Sequence, residues 1–190
     1  MGEAEAEATS EDEAPRGSVA PAARRFTPVA APKRPDVLVA ALALLAQQGL
    51  RPVTRFLGGG PDWAAHQKAA ADLPHIVFEG DVINVAERLA QHQIFVLLSD
   101  HEGLPMAILE AMRAGGAVIC ANASSLPEVA GDAALQFIWN DANALAAQMM
   151  RLLQEPGLRD ALVARGQAQA ARFSWAKTAT DTLTCFDRAA

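Results

Sequence analysis

Five apolar residues in succession, Ile94-Phe95-Val96-Leu97-Leu98, run straight into a charged stretch, Ser99-Asp100-His101-Glu102. Successive side chains of a strand point to opposite faces, so a strand that is apolar at every position must be covered on both sides. Helices on both faces of a parallel sheet provide that cover. A chain built around such a run is therefore committed to an α/β layout.

The rest of the chain follows the same rhythm. Asp36–Gly49 has helical spacing, an N-cap candidate in Asp36 and a terminating glycine. Val53–Leu57 reads as a strand, Asp62–Asp72 as a helix, His75–Phe78 as a short strand and Val82–Ala90 as a helix. After the central run come a helix at Pro105–Ala114, a strand at Ala117–Ala121, a short helix at Leu126–Ala130 and a strand at Ala134–Ile138. Helices near Ala142–Gln154, Pro156–Arg172 and Ser174–Arg188 close the chain. Strand–helix alternation implies parallel strands joined by right-handed crossovers. The expected fold class is α/β, a doubly wound, Rossmann-like parallel sheet with a helical C-terminus.

Composition narrows the function. Of the 190 residues 51% are hydrophobic, enough for one sizeable core, and the length suits one ordinary α/β domain. The net charge of −6 is local. Glu3, Glu5, Glu7, Glu11, Asp12 and Glu13 account for all of it, and residues 15–190 are formally neutral. So even a balance gives no basic patch for nucleic acid. Residues 1–32, acidic and rich in Ala and Pro, read as a tail or linker, and 33–190 as the domain. Cys120 and Cys185 form no disulfide or zinc spacing and read as ordinary buried thiols, consistent with a reducing cytosol. No apolar stretch approaches a membrane span, and the acidic N-terminus is no signal peptide.

In an open parallel sheet, ligands bind beyond the carboxyl ends of the strands. Two strand–helix junctions carry unusual residues. Gly58-Gly59-Gly60-Pro61-Asp62 permits tight turns and close backbone approach, as a plain turn or as a ligand-facing loop. It is not a dinucleotide fingerprint, because Trp63 occupies the third glycine position. The second junction, Ser99–Pro105, leads directly into a helix whose N-terminus offers N–H groups and a positive dipole end, suited to a diphosphate. Glu102 precedes that helix and Glu110 lies within it; carboxylates there could accept hydrogen bonds from vicinal hydroxyls. On the residues alone, Glu110 fits a surface position on a helix better than a binding role.

The stretch Phe95-Val-Leu-Leu-Ser-Asp-His-Glu-Gly-Leu-Pro-Met-Ala-Ile-Leu-Glu-Ala-Met-Arg-Ala-Gly115 closely resembles the signature of family 4 (group 1) glycosyltransferases, enzymes of GT-B fold. The resemblance continues through Phe56-Leu-Gly-Gly-Gly-Pro61, Val77-Phe-Glu-Gly80, Leu126-Pro-Glu-Val-Ala-Gly-Asp132, Asp141-Ala-Asn-Ala-Leu-Ala146 and Arg172-Phe-Ser-Trp175, covering roughly residues 33–188 in order. It implies a nucleotide-diphosphate sugar as donor substrate, transfer with retention, no cofactor and no metal held by an Asp-x-Asp motif. Glu102 would hold the sugar hydroxyls, with Gly103, Leu104 and Pro105 lining the sugar and its phosphate. Glu110 would bind the ribose. Phe78 and Gly80 would lie beside the base, with Gly58 and Gly60 nearby. Lys33 stands where the family places a diphosphate-binding lysine, which would offset charge on the departing group.

The chain also departs from the family pattern. The acceptor-binding domain is absent, so a separate domain or chain is the expected partner. The first strand of the donor half has only residues 24–30 as a candidate, and Pro28 makes them a poor central strand. Ser124-Ser125 stands where a Gly-Gly pair is usual; the serines could donate to a phosphate or, the favoured reading, cap the next helix. The last helix could dock on the other domain or cover a sheet face. The expected function is therefore a cytoplasmic glycosyltransferase donor domain, peripheral at the membrane only through a partner. The alternative is a binding module that transfers nothing; a sugar-nucleotide epimerase or an oxidoreductase fits the motifs less well.

Overall fold

The computed structural model describes residues 25–28, 34–60 and 62–189. Six strands form one parallel sheet: β1 (Arg25–Pro28), β2 (Val53–Leu57), β3 (Ile76–Gly80), β4 (Ile94–Leu97), β5 (Ala117–Ala121) and β6 (Ala134–Phe137). Their order is β3-β2-β1-β4-β5-β6, and every neighbouring pair is parallel. The chain runs outward from β1 in one direction, then returns to start again at β4. That reversal leaves a crevice beyond the carboxyl ends of β1 and β4, where doubly wound sheets bind ligands.

Among the described residues eight helices accompany the sheet: α1 (Pro35–Gln47), α2 (Trp63–Ala69), α3 (Val85–Ala90), α4 (Met106–Arg113), α5 (Leu126–Ala130), α6 (Ala142–Gln154), α7 (Pro156–Ala171) and α8 (Trp175–Ala189). Right-handed crossovers put α1 and α2 on one face and α3, α4 and α5 on the other. The C-terminal helices thicken both layers, α6 packing on α1 and α7 on α4. All residues of β4 and β5 are buried, as the uninterrupted apolar runs require. Leu38, Leu42 and Leu45 of α1, spaced at helical intervals, are completely buried. At about 25 cal/mol per Å² of apolar surface, each such leucine contributes roughly 2 kcal/mol.

One expectation is corrected, and one of two open alternatives is excluded. Arg25–Pro28 does form the central strand, with Phe26 paired to both Thr54 and Ile94 and Pro28 opposite Val96. Pro28 is the final residue of β1, so its missing N–H is lost at the end of the ladder and not in its middle. The strand lies inside the stretch that reads from composition as a tail. The last helix, in turn, covers no sheet face. Every described side chain from Trp175 to Arg188 is exposed, including Trp175 at 77%, Leu183 at 64% and Phe186 at 68%.

Candidate functional site

The charged loop after β4 stands at the crevice. Ser99, completely buried, donates its hydroxyl to the carbonyl of His101 at 3.0 Å, turning the chain out of the sheet. Pro105 has φ −75° and ψ 76°, and the amide of Met106 donates to the carbonyl of Leu104 at 2.8 Å. This is an inverse γ-turn, and it folds Gly103-Leu104 back over the start of α4. No side chain caps that helix. Pro105 is buried, Gly103 and Leu104 are exposed and Glu102 is half-buried. A Cβ on Gly103 would meet nothing within 4 Å, so the loop is open on that side.

Glu102 is anchored from the next loop. Ser124 accepts the amide of Glu102 at 3.1 Å and donates to its carbonyl at 2.9 Å. Ser125 donates to the same carbonyl at 2.9 Å. The helix-cap role expected for the serines is therefore not the one they have. Ser125 occupies the N-cap position of α5 but makes no side-chain cap bond. Ser124 has φ +52°, a left-handed conformation that explains why glycine suits this position.

Glu110 lies exposed on α4 and faces the β3–α3 connection. Together with Ile83, Asn84, Val85, Ala86 and Glu87 it lines a pocket of about 360 Å³. The neighbouring glycine loop meets the end of β3: the amide of Gly58 donates to the carbonyl of Gly80 at 2.6 Å. Gly58 (φ +102°) and Gly80 (φ +70°) adopt backbone conformations closed to most side chains. Phe78 stacks on Phe56 with ring centroids 4.7 Å apart and meets Trp63 edge-on at 5.1 Å. Beneath them Glu79 pairs with Arg55 and, at 3.4 Å, with Arg88.

The structure thus gathers Glu102, Gly103, Ser124 and Ser125 in one cluster, with Gly58, Gly60, Phe78 and Gly80 in a second around the ends of β2 and β3. Glu110 faces the connection that leaves the second. Lys33 and Pro61 lie outside the described residues. One cation escaped the sequence reading, Arg34. It chelates Asp36 through Nε and a terminal nitrogen at 2.9 and 2.7 Å, and lies 5.5 Å from the ring centre of Trp139. Its pKa is raised chiefly by the hydrogen bond to Asp36, with a weaker pull from Asp100 in the β4 loop. The Asp36 carboxyl is correspondingly lowered by that same bond. The only signal in the sequence was the pairing of Arg34 with Lys33 ahead of Pro35.

A parallel sheet in this order, with open loops at its switch point, defines a Rossmann-like doubly wound domain. The family model described as "Glycosyl transferases group 1" matches residues 23–155, and the chain belongs to that family. It is 38% identical over 132 residues to O-antigen chain mannosyltransferase B of Escherichia coli, covering 70% of this chain and 29% of that protein. It is 30% identical over 189 residues to D-inositol 3-phosphate glycosyltransferase of Jonesia denitrificans, covering 92% and 44% respectively. The chain thus spans less than half the length of these relatives. Among solved structures it resembles TarM with a TM-score of 0.78 at 16% identity, covering 86% of this chain and 35% of that one. The catalytic domain of cholesterol-alpha-glucosyltransferase from Helicobacter pylori matches with a TM-score of 0.68 at 25% identity, over 79% of this chain and 99% of that one. No helix among the described residues is long and apolar enough to cross a membrane.

Proposed function

We propose that this chain is the donor-binding half of a retaining glycosyltransferase that takes a nucleoside diphosphate sugar, with mannose as the sugar. The observation that carries the reading is the arrangement along α4. Glu102 sits before its uncapped N-terminus, and Glu110 faces a pocket shared with the β3–α3 connection. The donor would lie along that line. Glu102 accepts hydrogen bonds from sugar hydroxyls, the helix start takes the diphosphate, Glu110 takes the ribose and the 83–87 segment borders the base. Lys33 would add a cation to the diphosphate. Mannose is favoured because the Escherichia coli relatives, O-antigen chain mannosyltransferase B and WbdA, are named mannosyltransferases. The reaction needs no cofactor in this reading.

An acceptor-binding half, in the same protein or another, supplies the second wall of the cleft. The exposed apolar face of α8, with Trp175, Leu183 and Phe186, is suited to pack against it.

Thermal unfolding with UDP, GDP, ADP and their mannose conjugates tests the donor reading. A ligand at about a hundred times its dissociation constant stabilises the fold by roughly 2.7 kcal/mol. For a domain of this size the midpoint rises by about 5–10 °C. One nucleotide should give that rise, and Glu110→Ala should abolish it. A folded chain indifferent to every nucleotide would reject the reading.

A further inference from the structure

We propose that Ser124 and Ser125 are positioning residues for Glu102, and that through it they govern how tightly the sugar of the donor is held. This rests on reading Glu102 as the acceptor of sugar hydroxyl hydrogen bonds. The hydroxyls themselves touch no ligand in this assignment.

The direct alternative, that the serines bind phosphate, conflicts with where their protons go. A serine hydroxyl has one hydrogen to donate. That of Ser124 goes to the carbonyl of Glu102 at 2.9 Å, and that of Ser125 goes to the same oxygen at 2.9 Å. Neither has a hydrogen left for an anion. Ser124 also accepts the Glu102 amide at 3.1 Å, so both backbone polar groups of one residue are held by a loop 22 residues downstream.

That loop is a firm support, because it leaves β5, which is buried along its whole length, and its Asn122 amide is bonded to the carbonyl of Phe137 at 2.8 Å. Glu102 itself lies in no helix or strand, and Gly103 after it has open space where a side chain would be. The serine bonds are thus the fixed reference that a half-buried carboxylate needs if it is to meet two hydroxyls at set positions. The left-handed backbone of Ser124 points the same way. A side chain is kept at φ +52°, where glycine would be relaxed, and its hydroxyl is what the position gains.

Ser124→Gly keeps that backbone and removes the hydroxyl that grips both groups. Ser125→Ala removes the second donor, and Ser125→Thr retains it. Titration calorimetry on the full chain with GDP and GDP-mannose, and with the UDP pair alongside, reads the ratio of sugar-conjugate to bare-diphosphate dissociation constants. The ratio should rise about ten-fold in the Ser124→Gly/Ser125→Ala double variant, the loss expected for one or two hydrogen bonds. The bare-diphosphate constant should stay within about two-fold, and Ser124→Gly/Ser125→Thr should recover part of the loss. Amide exchange, which needs no ligand, should quicken at Glu102 in the double variant. An unchanged ratio, or a fall in diphosphate affinity itself, overturns the proposal. So does unchanged exchange at Glu102. Faster exchange in a chain that binds none of these nucleotides overturns the donor reading and leaves the serines a purely structural clasp.

Discussion

Gly166 of α7 lies so close to Met112 of α4 that a Cβ there would stand 3.0 Å from the Met112 Cγ and 3.4 Å from its Cβ. Met112 is completely buried, and two residues earlier on the same helix stands Glu110. The glycine in mid-helix therefore serves contact between helices, at a cost in helix propensity of about 1 kcal/mol. It also fixes how far α4 stands from the C-terminal layer.

Gly166→Val should accordingly destabilise the fold by about 2–3 kcal/mol, the range for forcing volume into a packed interior. Gly166→Ala should change stability by less than about 1 kcal/mol, because the helix gain offsets a small shift of Met112. Urea midpoints of both variants check this. Equal midpoints for valine and alanine would mean that α7 can simply move away from α4.

Removal of α8 should be nearly neutral for the isolated fold. Its side chains are exposed throughout, and residues of that kind usually contribute within about 0.5 kcal/mol each way. What ties the preceding turn is Arg113, which donates to the carbonyl of Phe173 at 2.7 Å and is 3.4 Å from that of Ala170. A chain ending at Ser174 should keep its melting midpoint, whereas Arg113→Ala should lower stability by about 1 kcal/mol. Circular dichroism melts decide, and a collapse on truncation would show that α8 belongs to the core.

The sheet and its crevice were legible because burial on both faces writes itself into sequence as runs such as Ile94–Leu98, independent of distant context. The strand–helix junctions that carry the glycine loop and Glu102–Glu110 were legible for a related reason, since such a junction is local. The failures were non-local. Pro28 argues against a central strand only if it falls inside the ladder, and its register against Val96 cannot be read from neighbouring residues. Ser124-Ser125 before Leu126-Pro127 has the look of a helix cap, and the competing partner, Glu102, is 22 residues away. The exposure of α8 was equally hidden, because an amphipathic helix has the same pattern whether its apolar face meets this domain or another.

The two thiols should differ sharply in reactivity. Cys120, wholly buried in β5, has its pKa pushed up to about 12 by desolvation, and the thiolate is the reactive form. Cys185 on α8 is exposed, which corrects the expectation that both thiols are buried. A chromogenic disulfide reagent at pH 8 should titrate one thiol per native chain and the second only on denaturation. Cys185→Ser should abolish the fast phase, and a fast phase that survives it would place Cys120 within reach of solvent.

Acid should weaken the fold through His75. Its two ring nitrogens have no hydrogen-bond partner among the described residues, and its pKa is lowered from 6.5 by desolvation first and by the charge of Arg51 second. The folded chain therefore holds this imidazole neutral at a pH where the unfolded chain protonates it. Below 6.5 the unfolded state binds more protons, so stability falls with pH, by at most one proton's worth, until the folded value is passed. Above 6.5 the group has no effect. Asp36, lowered by Arg34, acts in the same direction but only in the more acidic carboxylate range. Urea midpoints between pH 7.5 and 5.5 should thus decline in the parent chain and decline less in His75→Gln. Parallel declines would assign the acid sensitivity to another group, and a rise toward pH 5.5 would contradict the sign of the His75 shift.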